Sequence, residues 1–341
     1  MPTFHAYAAN AAGGPFQPFD FDPGELGREE VEIELSHCGI CYSDLSMLDN
    51  DWGWTAYPFV AGHEAVGTVV ALGEGAKGLQ LGQRVGVGWS ASSCLFCHDC
   101  LAGDHHLCAR VQGTIVGRHG AFADRLRVQW TWARPLPEAL DIEKAGPLLC
   151  GGITVFTPFL AYSIPPNARV GVIGIGGLGH LALQFANKWG CEVHAFTTSD
   201  DKRAEAHEMG AHRVHNTKTG DPLKELAGSL DLIISTIDVP LDVPGWLGAL
   251  APKGRLHVVG AVLKPLEVPA FGPVGLIMGQ KAVSGSPTGS PTALDQMLAF
   301  CARHSIAPVT EMFPLSEVND AFKCLRAGKA RYRIVLVNDQ A

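Results

Sequence analysis

Four cysteines lying close together in the chain have the chemistry and spacing of a zinc site. They fall within one stretch of fifteen residues, at Cys94, Cys97, Cys100 and Cys108. Four thiolates suffice for a closed tetrahedral zinc, whereas a thioredoxin-like redox motif needs a single pair. Asp99 and Asp104 lie among them with little basic charge nearby, which opposes a nucleic-acid-binding zinc ribbon. The spacing predicts a structural zinc, with His98, His105 and His106 left as competing ligands.

A second set of metal-ligating residues is dispersed along the chain. Its members are Cys41, the adjacent pair His63 and Glu64, and Cys150. Each residue alone is more often structural than functional. A catalytic metal at a junction between domains would draw its ligands from separate segments in this way, and the dinucleotide motif described next favours that interpretation.

A glycine-rich turn follows the apolar run 169–173 and precedes a helical pattern. The turn contains Gly174, Gly176, Gly177, Leu178 and Gly179. A G-x-G-x-x-G motif between a strand and a helix allows backbone amides and the helix N-terminus to hold a pyrophosphate. The motif predicts a dinucleotide-binding domain, the alternative being a glycine-rich turn in an unrelated α/β domain.

The end of the next strand bears on which dinucleotide is bound. An acidic residue at this position selects NAD by binding the ribose hydroxyls. Here the sequence has Thr197, Thr198 and Ser199, with Lys202 and Arg203 just beyond. Small hydroxyls and cations suit a 2′-phosphate, so NADP(H) is predicted. Asp200 and Asp201 oppose this prediction unless they serve the first turn of the following helix.

Composition excludes several classes of protein. The net charge is −8 at pH 7, and the sequence has no block of basic residues, so neither nucleic acid nor a membrane is expected as a partner. Hydrophobic residues make up 47% of the chain, too many for disorder. The N-terminus lacks a signal-peptide pattern, so a cytoplasmic protein is expected, and the ten cysteines favour metal ligation over disulfides.

The pattern of apolar runs divides the chain into three parts. Residues 1–149 contain short strand-like runs and predict a β-rich domain, with a structural zinc lobe at about 90–110. Residues 150–288 alternate strands with helical stretches, one of them at 201–209, which predicts a doubly wound parallel sheet. Residues 289–341 are expected to return to the first domain. The predicted fold class is α/β.

Several motifs occur in the order found in one enzyme family. They are Gly-Ile-Cys-x-Ser-Asp at 39–44, Gly-His-Glu at 62–64, the four clustered cysteines, Leu-Leu-Cys-Gly-Gly-Ile-Thr at 148–154, Gly-Ile-Gly-Gly-Leu-Gly-His at 174–180, Val-Ser-Gly-Ser at 283–286 and Lys-Ala-Arg-Tyr-Arg at 329–333. Over essentially its whole length the chain resembles the zinc-dependent medium-chain alcohol dehydrogenases. Within them it is most similar to the cinnamyl alcohol dehydrogenase branch and its bacterial broad-range NADPH-dependent aldehyde reductases.

The resemblance implies a GroES-like catalytic domain built from both chain ends, a Rossmann domain, substrate in the cleft and a homodimer. It implies that Cys41, His63 and Cys150 are persistent ligands of a catalytic zinc and that Glu64 alternates with water or substrate, while Cys38 is structural. It also implies further cofactor-binding residues, namely Thr154, Thr236, Gly260, Gly285, Ser286 and, for the pyrophosphate, Arg333. Each chain would then hold two zinc ions.

The chemistry so implied is reversible hydride transfer between NADPH and an aldehyde, with zinc as the Lewis acid. Ser43 is placed to pass a proton between the substrate oxygen and the cofactor ribose. Asp44 is expected either to orient a ligand imidazole or to cap a helix. Tyr42 and Ser46 replace the basic residues common in relatives, so the proton relay is expected to end at Asp51 or in water.

Three tryptophans, Trp52, Trp54 and Trp89, are expected near the substrate. The alternative is that at least one of them belongs to the core. Such residues favour apolar or aromatic aldehydes. We predict an NADPH-dependent zinc reductase of aldehydes. The alternatives are an NAD-dependent secondary-alcohol or polyol dehydrogenase, a zinc-independent quinone reductase, and a non-catalytic dinucleotide-sensing zinc protein.

Overall fold

The structure is a computed structural model, and it describes residues 3–339. Contacts divide the chain into two units. Unit 1 contains the residues up to 153 and those from 288 onward, and unit 2 contains residues 154–287. Each unit has its own sheet, so each is described by itself.

The N-terminal part of unit 1 is rich in short strands. Its strands are β1 (Phe4–Ala9), β2 (Phe16–Phe21), β3 (Glu30–Ile40), β4 (Ala65–Leu72), β5 (Arg84–Val87), β6 (Ser90–Ser92), β7 (Gln112–Gly113), β8 (Arg125–Gln129) and β9 (Arg134–Pro135). Its helices are α1 (Tyr42–Asp49), α2 (His98–Leu101) and α3 (Ile142–Ala145), and α4 (Gly151–Ala161) continues into unit 2.

Unit 2 alternates strands with helices. Its strands are β10 (Arg169–Ile173), β11 (Glu192–Thr197), β12 (Arg213–Asn216), β13 (Leu230–Ser235), β14 (Leu250–Val258) and β15 (Ala282–Gly285). Its helices are α5 (Gly179–Trp189), α6 (Arg203–Glu208), α7 (Pro222–Glu225), α8 (Val243–Ala249) and α9 (Leu276–Gly279).

The C-terminal part of the chain belongs to unit 1. It consists of α10 (Pro291–His304), β16 (Thr310–Pro314), α11 (Val318–Arg326) and β17 (Arg333–Val337). Short 3-10 helices lie at His105–Leu107, Trp130–Trp132, Gly146–Leu149, Asp200–Lys202 and Leu315–Glu317.

The main sheet of unit 1 joins the two ends of the chain. Its strand order is β16-β17-β3-β4-β5-β9, and β8 pairs with β3. The C-terminal strand β17 runs antiparallel to β3, so that Ile334 lies opposite Ile40. Apolar side chains such as Val31, Ile33 and Val69 are buried in the core of this unit. The end of β3 that leads to Cys41 is therefore held in the middle of a sheet.

Unit 2 contains a parallel sheet of the order β12-β11-β10-β13-β14-β15. The order reverses at β10, and β10 and β13 are neighbours. In an open parallel sheet, ligands bind beyond the carboxyl ends of the strands where the order reverses. The α/β fold class, with a Rossmann-like parallel sheet, is confirmed.

One predicted helical stretch is divided in the structure. The run 201–209 consists of the 3-10 helix Asp200–Lys202 followed by α6. The Ser199 hydroxyl caps the first of these by accepting from the Asp201 N–H at 3.2 Å, which starts the turn before Asp201. Within residues 3–339 no single helix has the length and apolar character to cross a bilayer, and one bent pair meets that test only jointly.

Candidate metal centres and cofactor site

Four potential metal ligands from separate segments of unit 1 meet at one buried point. Cys41 precedes α1, His63 and Glu64 precede β4, and Cys150 lies between a 3-10 helix and α4. One ligand atom from each lies within 4.8 Å of all the others, and all four residues are buried. Two thiolates, an imidazole and a carboxylate are a donor set that suits zinc in its catalytic sites.

The charges around these ligands favour cation binding. Hydrogen bonding with Cys150 lowers the pKa of the Cys41 thiol well below its usual range, against the opposing effect of burial. The pKa of Cys150 is raised well above its usual range by the same hydrogen bond and by burial. His63 Nε2 lies 3.3 Å from Cys150 Sγ. Cys41 is therefore favoured as the thiolate, the form in which a cysteine ligates a metal ion.

Asp44 holds this group together through both carboxylate oxygens. Oδ1 lies 2.9 Å from His63 Nδ1 and accepts the Gly62 N–H at 2.9 Å. Oδ2 accepts the Cys41 N–H at 2.9 Å, which completes a capping box at the start of α1. The two roles considered for Asp44, orienting an imidazole and capping a helix, are therefore both present. Burial lowers the pKa of His63, but Asp44 and Cys41 raise it further, well above its usual value.

Arg333 lies beside Glu64. Its Nη2 donates to Glu64 Oε1 and Oε2 at 2.5 and 2.7 Å and to the Ile40 carbonyl at 3.0 Å. Burial raises the pKa of Glu64 to about 7, although Arg333 opposes that shift. The resemblance assigned Arg333 to the pyrophosphate only, and sequence reasoning missed this ion pair. An arginine at the start of an apolar strand was the available signal, because a buried cation requires an anionic partner.

The residues expected to relay a proton are partly placed near this group. The Ser43 hydroxyl oxygen lies 3.7 Å from Cys41 Sγ. Tyr42 is 54% exposed, and its hydroxyl donates to the Leu325 carbonyl at 3.4 Å. Asp51 is exposed, whereas Ser46 is half-buried. A relay through Asp51 stays a prediction.

The three tryptophans form a continuous aromatic series that begins at His63. Trp89 packs edge-on against the His63 ring at 5.1 Å between centroids. The ring centroid of Trp52 lies 6.1 Å from that of Trp89 and 5.5 Å from that of Trp54. Trp52 and Trp89 pack on the core of unit 1, while Trp54 is 59% exposed. An apolar wall therefore extends from a metal-ligand candidate towards the surface.

The second cluster of unit 1 contains Cys94, Cys97, Cys100 and Cys108, whose sulfurs lie within 4.8 Å of one another. Backbone amides point at them, since the Cys97 N–H donates to Cys94 Sγ and the Arg110 N–H to Cys108 Sγ. A hydrogen bond from the Phe96 backbone lowers the pKa of Cys94 to about 6. Amide donors stabilise thiolates, so this cluster suits a structural zinc, and none of the three nearby histidines belongs to it among the described residues.

The glycine-rich turn of unit 2 lies at the carboxyl end of β10. Gly174 has a φ of +85°, and a Cβ there would lie 2.6 Å from Ile237 Cγ2. A Cβ at Gly179 would lie 1.9 Å from the Gly174 carbonyl oxygen, whereas one at Gly176 would meet nothing within 4 Å. Gly177 and Leu178 complete the turn before α5. The turn is close-packed on the protein side and open at Gly176, as pyrophosphate binding requires.

The strand end at 197–203 combines hydroxyls with a cation. Thr197 is buried and its hydroxyl bonds to the backbone of Ser199, while Thr198 is exposed. Lys202 Nζ donates to the carbonyl of Ile175 in the glycine-rich turn at 2.9 Å. Asp200 is paired with Arg203 at 2.8 Å and accepts from the side chain of Asn216.

The remaining cofactor candidates lie in unit 2 except for Arg333. Thr236 follows β13, and its hydroxyl lies 2.9 Å from the carbonyl oxygens of Ile173 and Gly174. Gly260 follows β14, where a Cβ would lie 1.9 Å from the Ile237 carbonyl oxygen. Gly285 ends β15 and Ser286 follows it, while Thr154 lies buried on α4. The carboxyl ends of β10, β13, β14 and β15 thus carry most of this set.

Comparison with known proteins decides the family. Residues 27–138 match the alcohol dehydrogenase GroES-like domain, and residues 177–303 match the zinc-binding dehydrogenase family. The aldehyde reductase AdhA of Synechocystis sp. is 50% identical over 331 residues, which cover 97% of this chain and 98% of that protein. The chain belongs to the zinc-dependent medium-chain alcohol dehydrogenases. The predicted resemblance and the GroES-like fold are confirmed.

Solved structures of this dehydrogenase family superpose over almost the whole chain. A cinnamyl alcohol dehydrogenase from Sorghum bicolor matches with a TM-score of 0.92 at 35% identity, covering 98% of each chain. The cinnamyl alcohol dehydrogenase of Helicobacter pylori, solved with NADP(H), matches with a TM-score of 0.90 at 28% identity, covering 99% of each chain. The protein is therefore an oxidoreductase of the alcohol dehydrogenase and aldehyde reductase type.

Proposed function

We propose that this dehydrogenase reduces aldehydes to primary alcohols with NADPH, reversibly, and holds two zinc ions per chain. The buried convergence of Cys41, His63, Glu64 and Cys150 within 4.8 Å carries the proposal, because two cysteines and a histidine are a ligand set of catalytic zinc sites. The 50% identity to a protein named aldehyde reductase supports the choice of substrate class.

The catalytic zinc would be held by Cys41, His63 and Cys150, with Glu64 as the exchangeable fourth ligand. When bound, zinc supplies Lewis acidity that polarises a carbonyl group. The structural zinc would be held by Cys94, Cys97, Cys100 and Cys108, whose sulfurs receive backbone N–H donors.

The residues around the proposed catalytic zinc ligands each prepare these ligands for their role. Asp44 fixes the His63 ring by accepting a hydrogen bond from Nδ1–H, which leaves Nε2 as the ligating nitrogen. Arg333 draws the Glu64 carboxylate towards itself, so that Glu64 can leave room for a substrate oxygen. Ser43 lies near enough to Cys41 to move a proton at the substrate oxygen.

The preference for NADPH rests on the strand end of unit 2. Thr198 offers a hydroxyl, whereas the Ser199 hydroxyl is bonded to Asp201, and the Lys202 ammonium lies at the glycine-rich turn. The opposing carboxylate of Asp200 is engaged by Arg203 and Asn216, which reduces its repulsion of a phosphate. The NADP(H) bound to the Helicobacter pylori relative supports the same choice.

The preferred substrates are apolar and aromatic aldehydes. Trp89 touches His63, and Trp52 extends the aromatic surface away from it. A planar ring would gain buried area and edge-to-face contacts there, whereas a polyol would lose hydrogen bonds to water.

The assembly proposed is a homodimer formed through unit 2. Strand β15 ends the strand order of the parallel sheet. Large apolar side chains nearby in the sequence are exposed, including Phe271 at 74% and Met278 at 68%. A second copy could pair with the strand edge and cover these side chains.

The test is the initial rate of benzaldehyde reduction with NADPH and with NADH at equal concentrations, beside oxidation of mannitol with NAD⁺. The expected result is rapid oxidation of NADPH and slow oxidation of NADH, with little activity on mannitol. A preference for NADH or for the polyol would replace the proposal by the NAD-dependent alternative. Cofactor binding without turnover, in protein shown to contain zinc, would favour a sensing protein.

A further inference from the structure

One buried histidine in unit 2 is bonded to two serines of a neighbouring strand. His257 of β14 is fully buried, with 0% of its surface exposed. Its Nδ1 lies 3.0 Å from the Ser284 hydroxyl oxygen, and its Nε2 lies 3.0 Å from the Ser286 hydroxyl oxygen. Both imidazole nitrogens are therefore engaged by side chains of one strand and its extension.

The register of the sheet places His257 beside both serines. His257 lies opposite Ser284 in the parallel pairing of β14 with β15. Ser286 is two residues further along, on the same side of the extended chain as Ser284. The His257 ring is also packed against Tyr162, with ring centroids 5.5 Å apart and the planes at 63°. The guanidinium of Arg255 stacks on the Tyr162 ring, 3.7 Å from its centroid.

The location of Ser286 gives these hydrogen bonds a functional consequence. Ser286 follows the last residue of β15, at the carboxyl edge where the glycine-rich turn and Thr236 also lie. In a doubly wound sheet a dinucleotide lies along this edge. We propose that His257 is a positioning residue, which holds the Ser286 hydroxyl in place for the nicotinamide end of the cofactor. This inference rests on the proposed function and deepens it.

A neutral imidazole gives its two serine partners opposite hydrogen-bonding roles. Burial lowers the pKa of His257 to about 4, and Arg255 adds to that effect, so the ring is neutral near pH 7. A neutral ring has one donor and one acceptor nitrogen, so one serine donates to it and the other accepts from it. If Ser286 donates to the ring, its hydroxyl can only accept from a carboxamide, and if it accepts from the ring, its own O–H is held ready to donate.

The test compares two substitutions that differ only in which serine they can still reach. His257→Gln places an amide near the former Nε2 and keeps a bond to Ser286, whereas His257→Asn places it near Nδ1 and keeps only the bond to Ser284. The dissociation constant of NADPH is measured by fluorescence titration, kcat and KM by benzaldehyde reduction, and folding by thermal unfolding.

For His257→Asn we expect the NADPH dissociation constant to rise roughly 5- to 10-fold, the effect of losing about one hydrogen bond. For His257→Gln we expect a change within about 2-fold, at a similar melting temperature. Equal losses in both variants, or losses that follow the melting temperature alone, would show a purely structural role and overturn the inference.

His257→Met, which keeps a similar volume and removes both hydrogen bonds, provides a second route should His257→Asn fold poorly. Combined with Ser286→Ala, it is expected to lose no more cofactor affinity than Ser286→Ala alone, because both changes act through one hydroxyl. Additive losses would overturn the inference. A wild-type protein that binds NADPH and turns over aldehyde upholds the proposed function in either case, whereas one that binds neither NADPH nor NADH removes both.

Discussion

The carboxylate of Asp44 and the imidazole of His63 form a buried pair, with Oδ1 2.9 Å from Nδ1 and both side chains fully buried. The same carboxylate accepts the backbone N–H groups of Gly62 and Cys41. One residue thus orients two ligand candidates, Cys41 and His63, that are 22 positions apart. The first turn of α1 and the segment before β4 are tied at this point.

Replacing Asp44 by Asn should weaken zinc binding more than it weakens the fold. The amide keeps an acceptor oxygen but loses the charge that favours the ligating tautomer of His63, so zinc affinity should fall roughly 10- to 100-fold. Competition with a chromogenic chelator measures this. Asp49→Asn, on the same helix, is the matched control, and equal zinc affinities for the two variants would contradict the role of Asp44.

Replacing Cys41 by Ser should abolish aldehyde reduction while leaving most of the fold intact. The variant is expected to contain about one zinc per chain instead of two, because the four-cysteine cluster is untouched. Metal analysis and circular dichroism measure the two effects. Cys324→Ser, outside both clusters, should keep two zinc ions, and a Cys41→Ser protein with undiminished turnover would refute the catalytic site.

Replacing Cys100 by Ser should reduce the stability of the fold more than it reduces catalysis. Loss of a structural zinc removes a large contribution to folding, so the free energy of unfolding should fall by more than about 3 kcal/mol. The KM for aldehyde in the protein that remains folded should change little. Urea unfolding followed by tryptophan fluorescence checks the stability. A variant as stable as the wild type would mean that the cluster does not bind a structural metal.

Replacing Thr198 by Asp should reduce the preference for NADPH. A carboxylate at the strand end repels a 2′-phosphate and can accept from ribose hydroxyls, so the ratio of kcat/KM for NADPH over NADH should fall about 10-fold or more. Steady-state kinetics with both cofactors measure the ratio. Thr219→Asp adds the same charge at another exposed threonine of unit 2, and an equal fall there would indicate a non-specific effect of charge.

The stability of unit 2 should depend on pH through His194. Burial, together with His215, lowers the pKa of His194 to about 4, below its ordinary value of 6.5. Because the unfolded state binds the proton more readily, this stabilisation is complete above pH 6.5 and is lost as the pH falls towards 4. Between pH 7.5 and pH 5 the free energy of unfolding of the wild type should fall by up to about 2 kcal/mol more than that of His194→Leu. Urea unfolding at the two pH values measures this difference, and an equal fall in the wild type and in His194→Leu would contradict the role of His194.

Local spacing along the chain is enough to identify the family and the fold class of this protein. The glycine-rich turn, the four-cysteine cluster and the order of the motifs are properties of neighbouring residues, and neighbours constrain one another through backbone geometry. Alternation of strands with helices likewise predicts the parallel sheet of unit 2, which the structure contains. Element ends are predicted less accurately, as at 200–209, because a hydroxyl cap from Ser199 decides where the turn begins.

Contacts between distant positions could be decided only by the tertiary structure. Arg333 meets Glu64 across 269 positions, because β17 pairs with β3 and brings the chain ends together. The sequence likewise left open whether Asp44 caps a helix or orients an imidazole, and only the approach of the His63 segment allows both. The role of His257 has no signal in the sequence, because its partners are set by the register of β14 against β15. Such pairings depend on which strands are neighbours, and a one-dimensional pattern does not encode that directly.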